Sequence, residues 1–153
     1  MTLEIRIDDL TSPATRELVA SHVAEMHSGA ESAEFVYAYD VDALTREGVT
    51  LFSAWEDGAL AGVGGLAGLG GDGELKSFRT AAAFLGRGVG RAILRRAIAE
   101  ARSRGYANLW LETGTSDAFA AARHLYASEG FAETGPFGRY PASPESYFMT
   151  RAL

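Results

Sequence analysis

The sequence predicts a mixed α/β domain in which one sheet of six or seven strands is flanked by helices. Three observations predict it. The chain has 153 residues, the length of one ordinary domain, so residues 1–153 are read as a single unit. Strand-like runs surround Asp57-Gly58 and continue past a second glycine turn, which marks an antiparallel meander. Beyond that meander, helical and extended patterns alternate to the end.

Taken in order, residues 3–7 alternate Leu, Ile and Ile with polar side chains, as a strand does. Residues 13–27 place Leu18, Val19, His22, Val23 and Met26 on one helical face, with Thr11 or Ser12 as cap and Pro13 in the first turn. A short helix is expected over 40–46. Residues 49–55 and 59–69 form the hairpin about Asp57-Gly58, and the turn over 68–73 leads into a third strand, 74–80. A helix over 88–105, a strand over 108–113, a helix over 118–129 and strands over 131–135 and 147–153 complete the order.

Composition narrows the function. Hydrophobic residues make up 47% and charged residues 22%, which suits a chain with its own core. The absence of cysteine excludes a disulfide framework, thiolate metal sites and a cysteine nucleophile. His22, His27 and His124 lack metal-ligand spacing, so no metal is expected. No apolar run reaches the ~18 residues of a membrane span, and the first thirty residues do not read as a leader. The expectation is a cytoplasmic protein. The net charge of −6 divides into −11 over residues 1–75 and +5 over residues 76–153. An acidic chain is a poor polyanion binder, so neither nucleic acid nor membrane is an expected partner. The basic half suits one small phosphorylated ligand and the acidic half a cationic one.

The most informative segment ends the meander. Gly86, Gly88 and Gly90 alternate directly before a helix whose apolar positions Val89, Ile93, Ala97, Ile98 and Ala101 share one face. The first turn of a helix presents unpaired N–H groups and the positive end of the dipole. Arg87 and Arg91 stand close by to pair with phosphate oxygens, so a diphosphate is the natural guest. The plainer alternative is a turn that lets a helix pack closely on a strand. A dinucleotide fingerprint needs a third glycine where Ile93 stands, and a P-loop needs Gly-Lys-Ser/Thr where Gly90-Arg91-Ala92 stands.

On these residues the chain resembles the GCN5-related N-acetyltransferase (GNAT) superfamily. Its pattern is a strand, a loop of Gln/Arg-x-x-Gly-x-Gly/Ala, and a helix. Leu85-Gly86-Arg87-Gly88-Val89-Gly90 matches at both glycines, with Leu85 where Gln or Arg is usual. A second signature, roughly Asn-x-x-Ala-x-x-Leu-Tyr-x-x-x-Gly-Phe, is met at Ala122, Leu125, Tyr126, Gly130 and Phe131, with Phe119 in place of Asn. The resemblance implies the acyl-CoA N-acyltransferase fold, acetyl-CoA as co-substrate, and its diphosphate on the amides of residues 86–91. It also implies that β-strand backbone at Phe78, Arg79 and Thr80 holds the pantetheine arm, and it is compatible with a homodimer.

Two residues then carry chemistry. Aminolysis of a thioester expels a thiolate, and the Tyr126 phenol is placed by the resemblance to protonate it; packing of the ring is the alternative. Glu112 follows Leu109-Trp110-Leu111, where a carboxylate is costly to bury unless partnered or used. Burial would raise its pKa toward that of a useful base, and an ammonium must lose a proton before it attacks. The resemblance extends to the Leu-Glu pair of the ribosomal-protein alanine acetyltransferases. Glu74 is the reserve base, a water relay is open, and a bulged N–H in the 78–80 strand would hold the thioester oxygen. For the acceptor, His27, Glu34 and Tyr37 and, in the late loop, Phe137, Arg139 and Tyr140 offer an aromatic wall with carboxylates. The reading is an acetyl-CoA-dependent N-acetyltransferase acting by direct attack of a primary amine of a small molecule. Its rival is a non-catalytic acyl-CoA-binding sensor or structural module.

Overall fold

A computed structural model describes residues 2–20, 44 and 48–153 of the chain. Seven strands form one sheet: β1 (Glu4–Asp8), β2 (Thr50–Glu56), β3 (Ala59–Leu69), β4 (Asp72–Thr80), β5 (Asn108–Gly114), β6 (Ala132–Thr134) and β7 (Ser146–Ala152). Their spatial order is β1-β2-β3-β4-β5-β7-β6, all neighbours antiparallel except β4 and β5. The described helices are α1 (13–20), α2 (Val89–Ser103) and α3 (Ala120–Ser128), with single 3-10 turns at Ala82–Phe84 and Asp117–Phe119. The short helix expected over 40–46 and most of the helix expected beyond residue 20 lie outside the described residues. Among the described residues, no helix is long and apolar enough to cross a membrane.

The hairpin between β2 and β3 turns at Asp57 and Gly58, both with positive φ (50° and 81°), which matches the twist of the flanking strands. Helix α2 lays Val89, Ile93, Leu94, Ala97, Ile98 and Ala101 on one face of the sheet, where Phe52, Leu66, Leu75, Leu109 and Leu111 receive them. The opposite face carries a smaller cluster, Leu10, Val19, Leu44, Leu51 and Val63. Asp8 organises the way into α1: its carboxylate accepts hydrogen bonds from the Leu10 amide (2.8 Å), the Thr15 hydroxyl (3.1 Å) and the Ser53 hydroxyl (2.7 Å).

One irregularity opens the sheet at its centre. The parallel strands β4 and β5 pair only at Gly73–Leu109 and Glu74–Trp110, although β4 runs to Thr80 and β5 to Gly114. Beyond Glu74 they part and leave a cleft in the sheet. Asp72 pins the closed end: its carboxylate accepts from the Asn108 amide (3.0 Å), the Asn108 side chain (3.3 Å) and Trp110 Nε1 (2.9 Å). Three donors lose their partner in Asp72→Ala, so this variant should lose about 2–3 kcal/mol of stability. A lower midpoint in urea unfolding with an unchanged slope is the expected reading.

Candidate active site

Along the end of β4 lies a pocket of about 580 Å³ walled by Phe78, Arg79 and Thr80 of β4, Gly86, Gly88, Val89, Gly90 and Arg91 of the glycine loop and α2, and Phe119, Leu125 and Tyr126 on the α3 side; Glu74 and Glu112 are not in its wall. Gly86 (φ 74°) and Gly88 (φ 81°) both adopt the left-handed conformation that L side chains avoid, and this turns the chain into α2. The first bond of the helix runs from the Ala92 amide to the Gly88 carbonyl at 3.0 Å. Among the described residues, no backbone or capping acceptor takes the amides of residues 86–91. A row of free donors at a helix N-terminus therefore faces an open pocket, which is the arrangement that binds a phosphate oxyanion.

The two arginines of the loop are placed differently. Arg87 is not part of the pocket wall; its guanidinium lies 5.5 Å from the centre of the Phe84 ring. Arg91 is in the wall, but its guanidinium is paired with Glu129 at 2.7 Å, and Arg95 shares the same oxygen at 2.8 Å. The glycine loop offers its amides ahead of its side chains.

In β4, Ser77 takes a positive φ of 58° and the pairing with β3 slips between Val63 and Gly65. Two residues, Ser77 and Phe78, thus oppose Gly64, a β-bulge that takes one backbone unit out of the ladder beside the cleft. Tyr126 of α3 is 6% exposed, with Phe78 edge-on at 6.2 Å and Phe131 at 5.8 Å. Burial pushes its phenol well above the usual range, so it remains protonated across the working pH range.

Glu112 of β5 lies on the other face from Leu109 and Leu111, together with Trp110 and, across the strand pair, Glu74. Its carboxyl is pushed up to about 8, first by burial and then by the Glu74 charge; Ser146 and Lys76 oppose the rise. The opposition from Ser146 is weak in geometry, because among the described residues neither Glu112 Oε1 nor Ser146 Oγ completes a hydrogen bond. Glu74 differs. Its Oε2 accepts from the Tyr140 hydroxyl at 2.5 Å and pairs with Lys76 Nζ at 3.2 Å. Around them, Trp110, Phe137, Tyr140 and Phe148 make ring contacts 5.1–6.0 Å between centroids. Tyr140 thus joins this face through Glu74, while Arg139 is exposed. His27, Glu34 and Tyr37 lie outside the described residues.

A sequence model described as the Acetyltransferase (GNAT) family matches residues 14–131. The chain belongs to the GNAT family of acetyltransferases. The uncharacterized N-acetyltransferase YsnE of Bacillus subtilis (strain 168) is 41% identical to it, over 99% of this chain and all of the relative. The uncharacterized N-acetyltransferase YedL of Escherichia coli (strain K12) is 44% identical, over 97% of this chain and 94% of the relative. A GNAT family acetyltransferase from Elizabethkingia anophelis, solved with acetyl-CoA bound, superposes with a TM-score of 0.72 at 19% identity, over 99% of this chain and 98% of that one.

Sequence reasoning about this GNAT enzyme passed over several residues of the site. Phe119 enters the pocket wall with its ring against Gly114, where an added Cβ would come within 2.2 Å of it. Its unusual place in the second family signature was the available signal. Arg123 fastens the same loop, donating to the carbonyls of Gly114 (2.6 Å) and Ser116 (3.0 Å). Lys76 had no signal beyond its alternation with Glu74. Among the described residues, no group of three or more His, Asp or Glu side chains is arranged to hold a metal ion.

Proposed function

We propose that the protein transfers the acetyl group of acetyl-CoA to a primary amine of a small molecule by direct attack. The observation that carries the reading is the row of amides over residues 86–91, for which the described residues supply no acceptor, at a pocket whose wall also bears Tyr126. The diphosphate takes those amides, and the pantetheine arm follows the backbone of Phe78–Thr80 where β4 leaves β5. The thioester oxygen takes a backbone donor at the Ser77–Phe78 bulge. Glu112, directly or through a water, removes a proton from the acceptor ammonium. The amine nitrogen then bonds to the carbonyl carbon, the carbon–sulfur bond breaks, and Tyr126 gives its proton to the departing sulfur. The proton held by Glu112 passes to solvent and the nitrogen's second proton restores the phenol, so the net products are amide, thiol and one proton. The full 153 residues act as one catalytic unit, a reading supported by β1, β6 and β7, which lie outside residues 14–131 and join the same sheet.

Two measurements test this. Acetyl-CoA at a hundredfold excess over its Kd should stabilise the protein by about 2.7 kcal/mol, a rise of roughly 5–10 °C in Tm, whereas ATP and NAD should not. Binding without acetylation of any amine in a broad panel would favour the non-catalytic module. Gly88→Ala places a side chain in the left-handed region, a strain of about 1–2 kcal/mol, and should raise the KM for acetyl-CoA roughly tenfold with kcat at saturation nearly kept.

A further inference from the structure

We propose that Glu74, Lys76 and Tyr140 form a partly buried group that sets the proton affinity of the Glu112 carboxylate, with Glu74 a positioning residue and not the base. The proposal rests on the reading of Glu112 as base. Glu74 is 6% exposed, and one of its oxygens takes both the Tyr140 hydroxyl and the Lys76 ammonium. Accepting an amine proton there would break an ion pair and a hydrogen bond together. Glu112 Oε1, two register positions along from the Glu74–Trp110 pair, is buried without such a partner.

Among the described residues, Glu74 and Lys76 of β4 alternate onto the sheet face that carries Glu112, with Glu74 opposite Trp110, and Ser146 of β7 stands opposite Gly114 on that face; Tyr140, from the loop before β7, reaches it through Glu74. A like charge strengthens the hold of Glu112 on its proton and an opposite charge loosens it. The two β4 neighbours are therefore opposed controls on one carboxyl.

The test is a titration of the Glu112 carboxyl by ¹³C NMR, its signal assigned with Glu112→Gln, in protein free of coenzyme and acceptor. Glu74→Gln should lower the midpoint by about one unit, a tenfold change in proton affinity. Lys76→Met should move the last carboxyl deprotonation upward by a similar amount. The acid limb of kcat/KM should follow both, and Glu74→Gln should keep kcat within about tenfold at its own optimum. A midpoint unmoved by Glu74→Gln, or shifts of the same sign in both variants, overturns the proposal. A loss of kcat of about 10²-fold or more in Glu74→Gln at every pH also overturns it, by making Glu74 the base. If the carboxyl titrations move as expected while the wild-type rate ignores the Glu112 midpoint, the charge-setting group stands and the assignment of Glu112 as base fails.

Discussion

Replacing Glu112 by glutamine is expected to lower kcat/KM at pH 8 by about 10²-fold or more, while making the folded protein more stable at that same pH. Both effects come from one carboxyl. An alkyl ammonium titrates near 10, so at neutral pH the reaction stalls without a group to take its proton, and glutamine takes none. The stability effect follows from the direction of the shift. In the folded protein the Glu112 carboxyl is pushed up to about 8 from its ordinary value of 4.5. Between those values the native state holds a proton that the unfolded chain has released, so unfolding becomes easier as pH rises. The stability carried by the protonated form is complete below about 4.5, declines through the window and is gone above about 8. Its full span is on the order of 5 kcal/mol. Glutamine removes that dependence. Urea unfolding of both proteins at pH 5 and pH 8.5 should show the Glu112→Gln variant gaining on the wild type as pH rises. A constant difference, or a gain at low pH, would mean that Glu112 is ionised and partnered in the native state.

The second large effect is expected from Tyr126→Phe, which should reduce kcat by about 10–10²-fold and leave the affinity for acetyl-CoA nearly intact. The change removes one oxygen. The ring keeps its edge contacts with Phe78 and Phe131, so packing survives and Tm should hold or rise slightly. The kinetic loss is smaller than at Glu112 because a thiolate is a weak enough base to leave tolerably without help. Isothermal titration for binding and single-turnover kinetics for transfer separate the two quantities. Unchanged turnover with weakened binding would assign Tyr126 to packing.

The parts of this molecule that were legible in the sequence are those written in short segments. The Asp57-Gly58 turn demands two positive φ values, and few residue pairs other than this one supply them cheaply. The alternating glycines before Val89 announce a helix N-terminus that a ligand can reach, because the features involved are all within six residues. The carboxylate after Leu109-Trp110-Leu111 is conspicuous for the same local reason. What was hidden is non-local. Arg91 and Arg95 meet Glu129 across 38 and 34 residues, a pairing that nothing near either segment announces. Tyr140 reaches Glu74 across 66 residues, and nothing in either segment signals the other. Local reading also misjudged ends: the helix expected from residue 118 begins as a 3-10 turn and becomes α-helical at Ala120, and β6 is only three residues long. Boundaries of that kind are set by packing, here by Phe119 seated on Gly114, rather than by propensity.

The most direct test of the account is the response of the backbone amides of residues 86–91 to coenzyme A in a ¹⁵N-resolved NMR titration. The expected result is that these six amides shift together and saturate with the coenzyme, that pantetheine without its diphosphate leaves them in place, and that both ligands move Phe78 and Thr80. Coenzyme binding that shifts other regions while these amides stay unmoved would contradict it.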